Sequence, residues 1–139
     1  MATTNATITL NSADIADSSL SISNTTTLTN AGTDTGVTKT TGLTRVELAD
    51  SAAVTLIDAG ATTRLNTIAR GKIYITNLND RRDGTKFVTL EMHGHEIGRL
   101  YGGDFAFFPF DGGASNDILL DPSDATATTL EYIVFYEAS

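Results

Sequence analysis

The feature that most constrains the fold is a series of short segments, between residues 44 and 137, in which apolar and polar residues alternate. A period of two is typical of a β-strand with one buried face. The segments are separated by stretches rich in Gly, Asp and Asn, which are the residues that turns require. Eight or nine strands at a spacing of about ten residues predict an all-β fold, with a single jelly-roll β-sandwich as its simplest form. The predicted strands are 44–48, 53–57, 63–68, 72–78, 86–92, 96–101, 104–110, 117–120 and 129–137.

The first 45 residues have a different composition. They consist largely of Thr, Ser, Asn and Ala, and no aromatic residue precedes Tyr74. The segments "TITL", "SLSIS" and "TTTLT" alternate with a period of two, and the branched Cβ of Thr favours extended backbone. We therefore expect an extended Thr-rich N-terminal arm over residues 1–45 and a jelly-roll domain over residues 46–139. The arm would add strands to the sheet edge of a neighbour, with a disordered tail as the alternative. Its apolar residues are predicted to form an interface: Ile8, Leu10, Leu20, Ile22 and Leu28.

Charge and composition narrow the class of protein. Seventeen acidic and nine basic residues give a formal net charge of -8, which repels phosphate backbones and anionic lipid, so we expect neither a nucleic-acid nor a membrane partner. There are no cysteines for disulfides, thiolate catalysis or thiolate metal sites. The start "MATTNATITL" lacks the basic and apolar regions of a secretion signal, and we expect synthesis in a cytoplasm.

Both histidines lie in the stretch "EMHGHEIG", residues 91–98. A His-x-His pair in a β-rich chain raises the hypothesis of a metal-dependent jelly-roll enzyme. Cupin enzymes carry such a pair with a Glu a few residues later and a distant third His, whereas here Glu96 follows His95 at once and no third His exists. The same residues fit a tight β-hairpin with His93 and Gly94 at its turn, where both need positive φ. We therefore predict no metal site, no cofactor and no catalytic residue.

Acidic residues cluster in the stretches "DGGASND" and "DPSD". Carboxylate oxygens suit calcium, but the spacing fits no EF-hand loop. We interpret these stretches as turns in which Asp and Asn side chains bond their own backbone, with calcium binding as the alternative. The residues concerned are Asp111, Asn116, Asp117, Asp121 and Asp124.

The stretch "DFAFFPF" predicts a strand that is apolar on both faces, with Phe105 and Phe107 on one and Phe108 and Phe110 on the other. Burying one ring stabilises a fold by roughly 1.5–3 kcal/mol. We expect a second sheet to cover one face and the arm or another subunit to cover the other, and we assign these four residues to an interface. A sandwich interior within one chain is the alternative. Because closed rings are the usual assemblies of identical chains, we expect a homo-oligomer, with a trimer preferred.

Residues 70–139 resemble the C-terminal β domain of small virion structural proteins of tailed bacteriophages. The resemblance rests on a strand ending in "NLND", a "FVTL" strand followed by a glycine hairpin, a "L-x-x-GDFA-x-FP" strand and a closing "LEYIVFYE". These are turn and core motifs, so they indicate a fold more than a role. The resemblance implies a capsid decoration (cement) protein on the outer surface of the capsid, with the major capsid protein and identical copies as partners.

Two other functions remain open from the sequence. A tail, neck or fibre component of the virion could use the same arm and adhesive loops. The metal-dependent jelly-roll enzyme is the minor alternative, and it differs from the other two by requiring a bound metal ion.

Overall fold

The structure is a computed structural model that describes residues 3–13, 19–29, 37–49, 51–58, 70–81, 86–112, 116–123 and 127–137. Within these ranges the chain forms eleven strands and no helix, and so no helix there could cross a membrane. The strands are β1 (Thr3–Ser12), β2 (Leu20–Thr29), β3 (Val37–Thr40), β4 (Thr44–Leu48), β5 (Val54–Ile57), β6 (Arg70–Asn77), β7 (Phe87–Met92), β8 (His95–Tyr101), β9 (Phe105–Phe110), β10 (Ile118–Pro122) and β11 (Thr128–Glu137).

The strands from β3 onward form two antiparallel sheets. One has the order β5-β10-β7-β8, and the other has the order β3-β11-β6-β9, with β4 also paired to β11. When β4 to β11 are counted as one to eight, the two sheets read 1-8-3-6 and 2-7-4-5. This is the strand order of a jelly roll, which is built from two Greek keys. The predicted all-β sandwich is confirmed.

The core lies between the two sheets and draws six residues from each. Alternation explains the choice, because successive side chains of a strand point to opposite faces. On β11, Leu130 and Val134 are fully buried, and Tyr132 and Tyr136 pack against the core from the same face. The twelve core residues are Leu48, Ile73, Ile75, Phe110, Leu130 and Val134 from one sheet, and Ile57, Val88, Leu90, Leu100, Ile118 and Leu120 from the other.

Strands β3 and β4 form one interrupted edge beside β11. Phe135–Glu137 pair with β3, and Thr128–Tyr132 pair with β4. Between them, the Thr41 amide donates to the Val134 carbonyl at 3.1 Å, and the Val134 amide donates to Thr41 Oγ1 at 3.0 Å. The chain then turns at Gly42, whose φ of 72° is in the left-handed region. The domain boundary predicted at residue 46 falls inside β4, and β3 lies before it.

Eight of the predicted strands can be compared with the structure. The prediction for 44–48 has the observed bounds of β4, and the other seven differ at either end by two residues or fewer. The ninth predicted strand, 63–68, lies outside the described residues.

Strands β1 and β2 pair with each other in a two-stranded antiparallel sheet. The register runs from Thr3 opposite Thr29 to Ser12 opposite Leu20, with Leu10 opposite Ile22. The sequence predicted extended segments here but not that they pair with each other. Two alternating segments of similar length, one soon after the other, satisfy their backbone hydrogen bonds locally by forming a hairpin.

Candidate functional site

The histidine stretch forms the predicted β-hairpin between β7 and β8. His93 has a φ of 52° and Gly94 a φ of 73°, so both turn residues are left-handed. The His93 amide donates to the Asp117 carbonyl at 3.1 Å, which ties the turn to the residue before β10. Both imidazoles are exposed, and their centroids are 6.2 Å apart. Positive φ therefore explains why His93 and Gly94 occupy the turn.

Among the described residues, no three His, Asp or Glu side chains are grouped so that they could hold a metal ion. Glu96 is instead paired with Arg99, whose Nε lies 3.2 Å from Glu96 Oε1. Of the acidic candidates, Asp124 lies outside the described residues, whereas Asp111, Asn116, Asp117 and Asp121 lie within them.

A buried asparagine joins the two loops that carry the "NLND" and "YGGD" stretches. Asn77 is 1% exposed at the end of β6. Its Nδ2 donates to the Leu100 carbonyl at 3.0 Å, and its Oδ1 accepts from the Asn79 amide at 3.0 Å. The backbone of Asn77 donates to the Asp104 carbonyl and accepts from the Gly103 amide. Sequence reasoning assigned this residue no role, because an asparagine next to a turn is usually read as part of the turn.

Close backbone packing completes this junction. A Cβ on Gly102 would lie 2.5 Å from the Asp80 carbonyl oxygen, so only glycine fits there. Asp104 Oδ2 accepts from the Tyr101 amide at 3.1 Å, and Gly103 turns the chain with a φ of 80°. Two of the motifs on which the resemblance rests, "NLND" and "GDFA", therefore meet in one structural junction.

The outward face of the four-stranded sheet is partly polar. Arg99 stacks over Phe87 at 4.8 Å from the ring centroid, and Phe87 contacts Tyr101 with ring centroids 5.3 Å apart. Thr89 lies opposite Arg99 on β8 and opposite Asp121 on β10. Charged groups thus lie among the apolar side chains of this face.

The outward face of the five-stranded sheet carries a group of aromatic side chains beside charged ones. Lys72 is paired with Phe135 and Pro109. Arg45 forms an ion pair with Glu131. In the central row of this face, Ile133 on β11 is paired with Tyr74 on β6, and Tyr74 is paired with Phe107 on β9. The Tyr74 ring also lies 6.1 Å from that of Phe105, which is 58% exposed. We name as the aromatic face Tyr74, Phe105, Phe107, Pro109, Ile133 and Phe135.

The β1–β2 hairpin has one apolar and one polar face. Because paired residues share a face, Ile8 and Leu10 lie on the same side as Leu20 and Ile22. Their exposed fractions are 40%, 52%, 39% and 48% respectively. We name these four residues the hairpin face.

The opposite side of the hairpin is lined by Thr, Ser and Asn. There, Thr7 and Thr25 share a hydroxyl hydrogen bond of 2.9 Å, and Ser21 Oγ donates to Asn11 Oδ1 at 3.0 Å. These bonds join directly opposed residues of the two strands.

The structure separates the predicted interface residues into two groups. Phe110 is 5% exposed inside the sandwich core, and Phe108 packs against that core, so these two rings face their own chain's interior. Phe105 and Phe107 lie on the aromatic face. The arm residues Ile8, Leu10, Leu20 and Ile22 form the hairpin face, and the backbone register places Leu28 opposite Thr4.

A scan against protein-family models and a search of curated proteins found no match to this chain.

Proposed function

We propose that this protein is a structural protein of a tailed-phage virion, acting as a decoration (cement) protein on the outer surface of the capsid. In this role, symmetric copies, with a trimer preferred, contact the major capsid protein and bridge its subunits. The observation that carries the proposal is the pair of exposed apolar surfaces, the aromatic face and the hairpin face. Exposed apolar patches of this kind are typical of surfaces that bind other proteins, and in this role they would join neighbouring copies of the chain.

The loop junction of the sandwich also supports an assembly role. The "NLND" and "GDFA" motifs of the phage-like stretch meet in one loop junction, as expected if the resemblance reflects a shared fold. A protein that bridges subunits of a shell needs a rigid scaffold and contact surfaces but no reacting groups.

The test uses heads of the parent particle that lack this protein. We expect purified full-length protein to bind them saturably, at sites that cryo-microscopy locates on the outer surface of the head, and to raise the temperature at which the heads release their DNA. Labelling confined to the tail or neck would contradict the proposal and favour the tail component.

A matched pair of variants examines whether the aromatic face is needed. Phe105→Ser and Ile97→Ser each remove an exposed apolar side chain from an edge strand, one on each sheet. We expect Phe105→Ser to reduce retention on heads at least tenfold, because weaker self-assembly costs avidity. Ile97→Ser should bind as the unmodified chain does. Equal retention of the two variants would remove the aromatic face from the proposal.

A further inference from the structure

We propose that the hairpin face of one copy packs on the aromatic face of a second copy of this chain, so that copies are joined face to face. The two surfaces are the halves of one interface, each carried once by every chain. This inference concerns self-association and does not rest on the proposed capsid role.

The hairpin needs a covering layer. An isolated two-stranded hairpin is at best marginally stable in water, and a third strand or a packed layer is needed to stabilise it. The side opposite the hairpin face has its Thr7–Thr25 and Ser21–Asn11 hydrogen bonds within the hairpin and suits water. The hairpin face has four large apolar side chains, each 39–52% exposed. The hairpin face is therefore the side of the hairpin that a partner would stabilise by covering its apolar side chains.

Charge indicates why the partner is another copy. Each copy carries a formal net charge of -8, so most surfaces of two copies repel each other. Strands β1 and β2 contain no charged residue in their twenty positions. The central row of the aromatic face, Ile133, Tyr74 and Phe107, is also uncharged. The rows on either side carry Lys72 and Glu131, so a contact centred on the uncharged row desolvates few charges.

The hairpin fits on the outward side of the five-stranded sheet. A strand of ten residues is about 33 Å long, and two strands are about 10 Å wide, so the whole hairpin has a footprint of roughly 300 Å². The aromatic face spans β9, β6 and β11, which have six, eight and ten residues, so the hairpin would lie mainly along the longer strands β6 and β11. Face-to-face packing of sheets about 10 Å apart is the arrangement of a β-sandwich.

Packing on the face is favoured over strand addition at the β9 edge. Pro109 lies in this edge strand and has no amide hydrogen to donate to an added strand. A neighbouring hairpin that covers the rings of Phe105 and Phe107 needs no hydrogen bond from β9.

Each copy offers one hairpin face and one aromatic face, so the contact is heterologous, with a different surface on each side. The contacts close either in a ring of copies or in a dimer, in which each copy places its hairpin on the aromatic face of the other. One contact removes roughly 600 Å² from water, counting both sides, and each copy takes part in two, so mutual exchange buries about 1,200 Å². That total reaches the lower end of stable specific interfaces.

Cross-linking between single-cysteine variants tests the contact, because the full chain has no cysteine of its own. Leu10→Cys and Phe105→Cys chains are co-expressed, purified and treated with a short bismaleimide. We expect a cross-linked species with the mass of one chain of each kind. The control replaces Leu10→Cys with Thr9→Cys, which lies on the opposite face of the hairpin, and its yield should be at least fivefold lower.

Three results would overturn the proposal. Equal yields from Leu10→Cys and Thr9→Cys would mean that the hairpin face does not select the contact. If the two single-cysteine chains do not cross-link and a double variant with Leu10→Cys and Phe105→Cys cross-links only within itself, the hairpin covers its own sheet. If capsids are added and the cysteine variants cross-link only to a different protein, that protein, and not a second copy, covers the face.

Solution mass provides a second measurement. Leu10→Asp places a charge on the hairpin face, and Thr9→Asp places the same charge on the polar face. We expect Leu10→Asp to raise the dissociation constant of the oligomer by at least about 30-fold, which is the loss typical of a central interface residue. Thr9→Asp should leave it nearly unchanged. A full-length chain that is monomeric at micromolar concentration in light scattering would contradict the proposal at the outset.

Discussion

Strands β1 and β11 have the same length of ten residues and the same period-two alternation, but they differ in their surroundings. β11 is paired on both sides, with β6 on one and β3 and β4 on the other, and its Leu130 and Val134 are fully buried. β1 is paired with β2, and its Leu10 is 52% exposed. Alternation therefore determines which residues share a face, whereas the layer opposite determines whether that face is buried.

The two strands therefore contribute differently to the free energy of folding. Each large apolar side chain that β11 buries contributes roughly 1.5–3 kcal/mol to folding within one chain. The side chains of the hairpin face contribute comparably only when another surface covers them. The sandwich should accordingly be stable without the hairpin, and the hairpin should depend on assembly.

The largest expected effect separates the two faces of β9. Phe110→Ala should lower the free energy of unfolding by about 3–5 kcal/mol, because it leaves a cavity in the core where the ring is 5% exposed. Phe105→Ala should cost less than about 1 kcal/mol in the monomer, since that ring is 58% exposed. Urea unfolding at low protein concentration measures both. Similar losses for the two variants would mean that the faces of β9 are not distinct.

Two glycine substitutions test how closely the backbone is packed at the loop junction of the sandwich. Gly102→Ala should cost about 2 kcal/mol, because the new Cβ would lie 2.5 Å from the Asp80 carbonyl oxygen and backbone must shift. Gly98→Ala has no atom within 4 Å of the new Cβ and should change stability by less than about 0.5 kcal/mol. Thermal unfolding of both variants provides the comparison. A neutral Gly102→Ala would show that the two loops can separate freely.

Much of the sandwich could be predicted because its strands alternate and its turns contain Gly, Asp and Asn. Which layer covers a given residue could not be predicted from the sequence. Phe108 and Phe110 were assigned to an interface because β9 is apolar on both faces, and alternation alone does not say which face is inside. Asn77 was overlooked because its partners, the Leu100 carbonyl and the loop before β9, are distant in sequence. The histidine turn was predictable because positive φ is a local property of its two residues.

Two deletions of different length examine where the hairpin ends and the sandwich begins. Removing residues 2–29 takes away the hairpin alone and should change the free energy of unfolding of the sandwich by less than about 1 kcal/mol, because every core residue follows residue 47. Removing residues 2–43 also takes away β3 and the two hydrogen bonds between Thr41 and Val134. We expect this longer deletion to cost at least about 2 kcal/mol more, at roughly 1 kcal/mol for each of the two Thr41 bonds before the β3 pairing is counted.

Circular dichroism and urea titration of the two shortened proteins measure the difference. Light scattering of the shorter deletion shows in parallel whether the loss of the hairpin lowers the mass of the assembly. Equal stability of the two would mean that β3 adds nothing to the sheet, and unfolding of the shorter deletion would mean that the hairpin belongs to the stable core.

The smallest effect is expected at the histidine turn. The double change His93→Asn with His95→Thr should leave the free energy of unfolding within about 0.5 kcal/mol, because Asn accepts the left-handed backbone of residue 93 and Thr suits an exposed position in β8. Gly94→Ala is the control for sensitivity, since the φ of 73° strains any residue with a Cβ and should cost about 1 kcal/mol. Thermal unfolding with and without added zinc or nickel measures both variants. A stoichiometric metal ion that stabilises the unmodified protein and is lost in the double variant would contradict a purely structural turn and support the metal-dependent alternative.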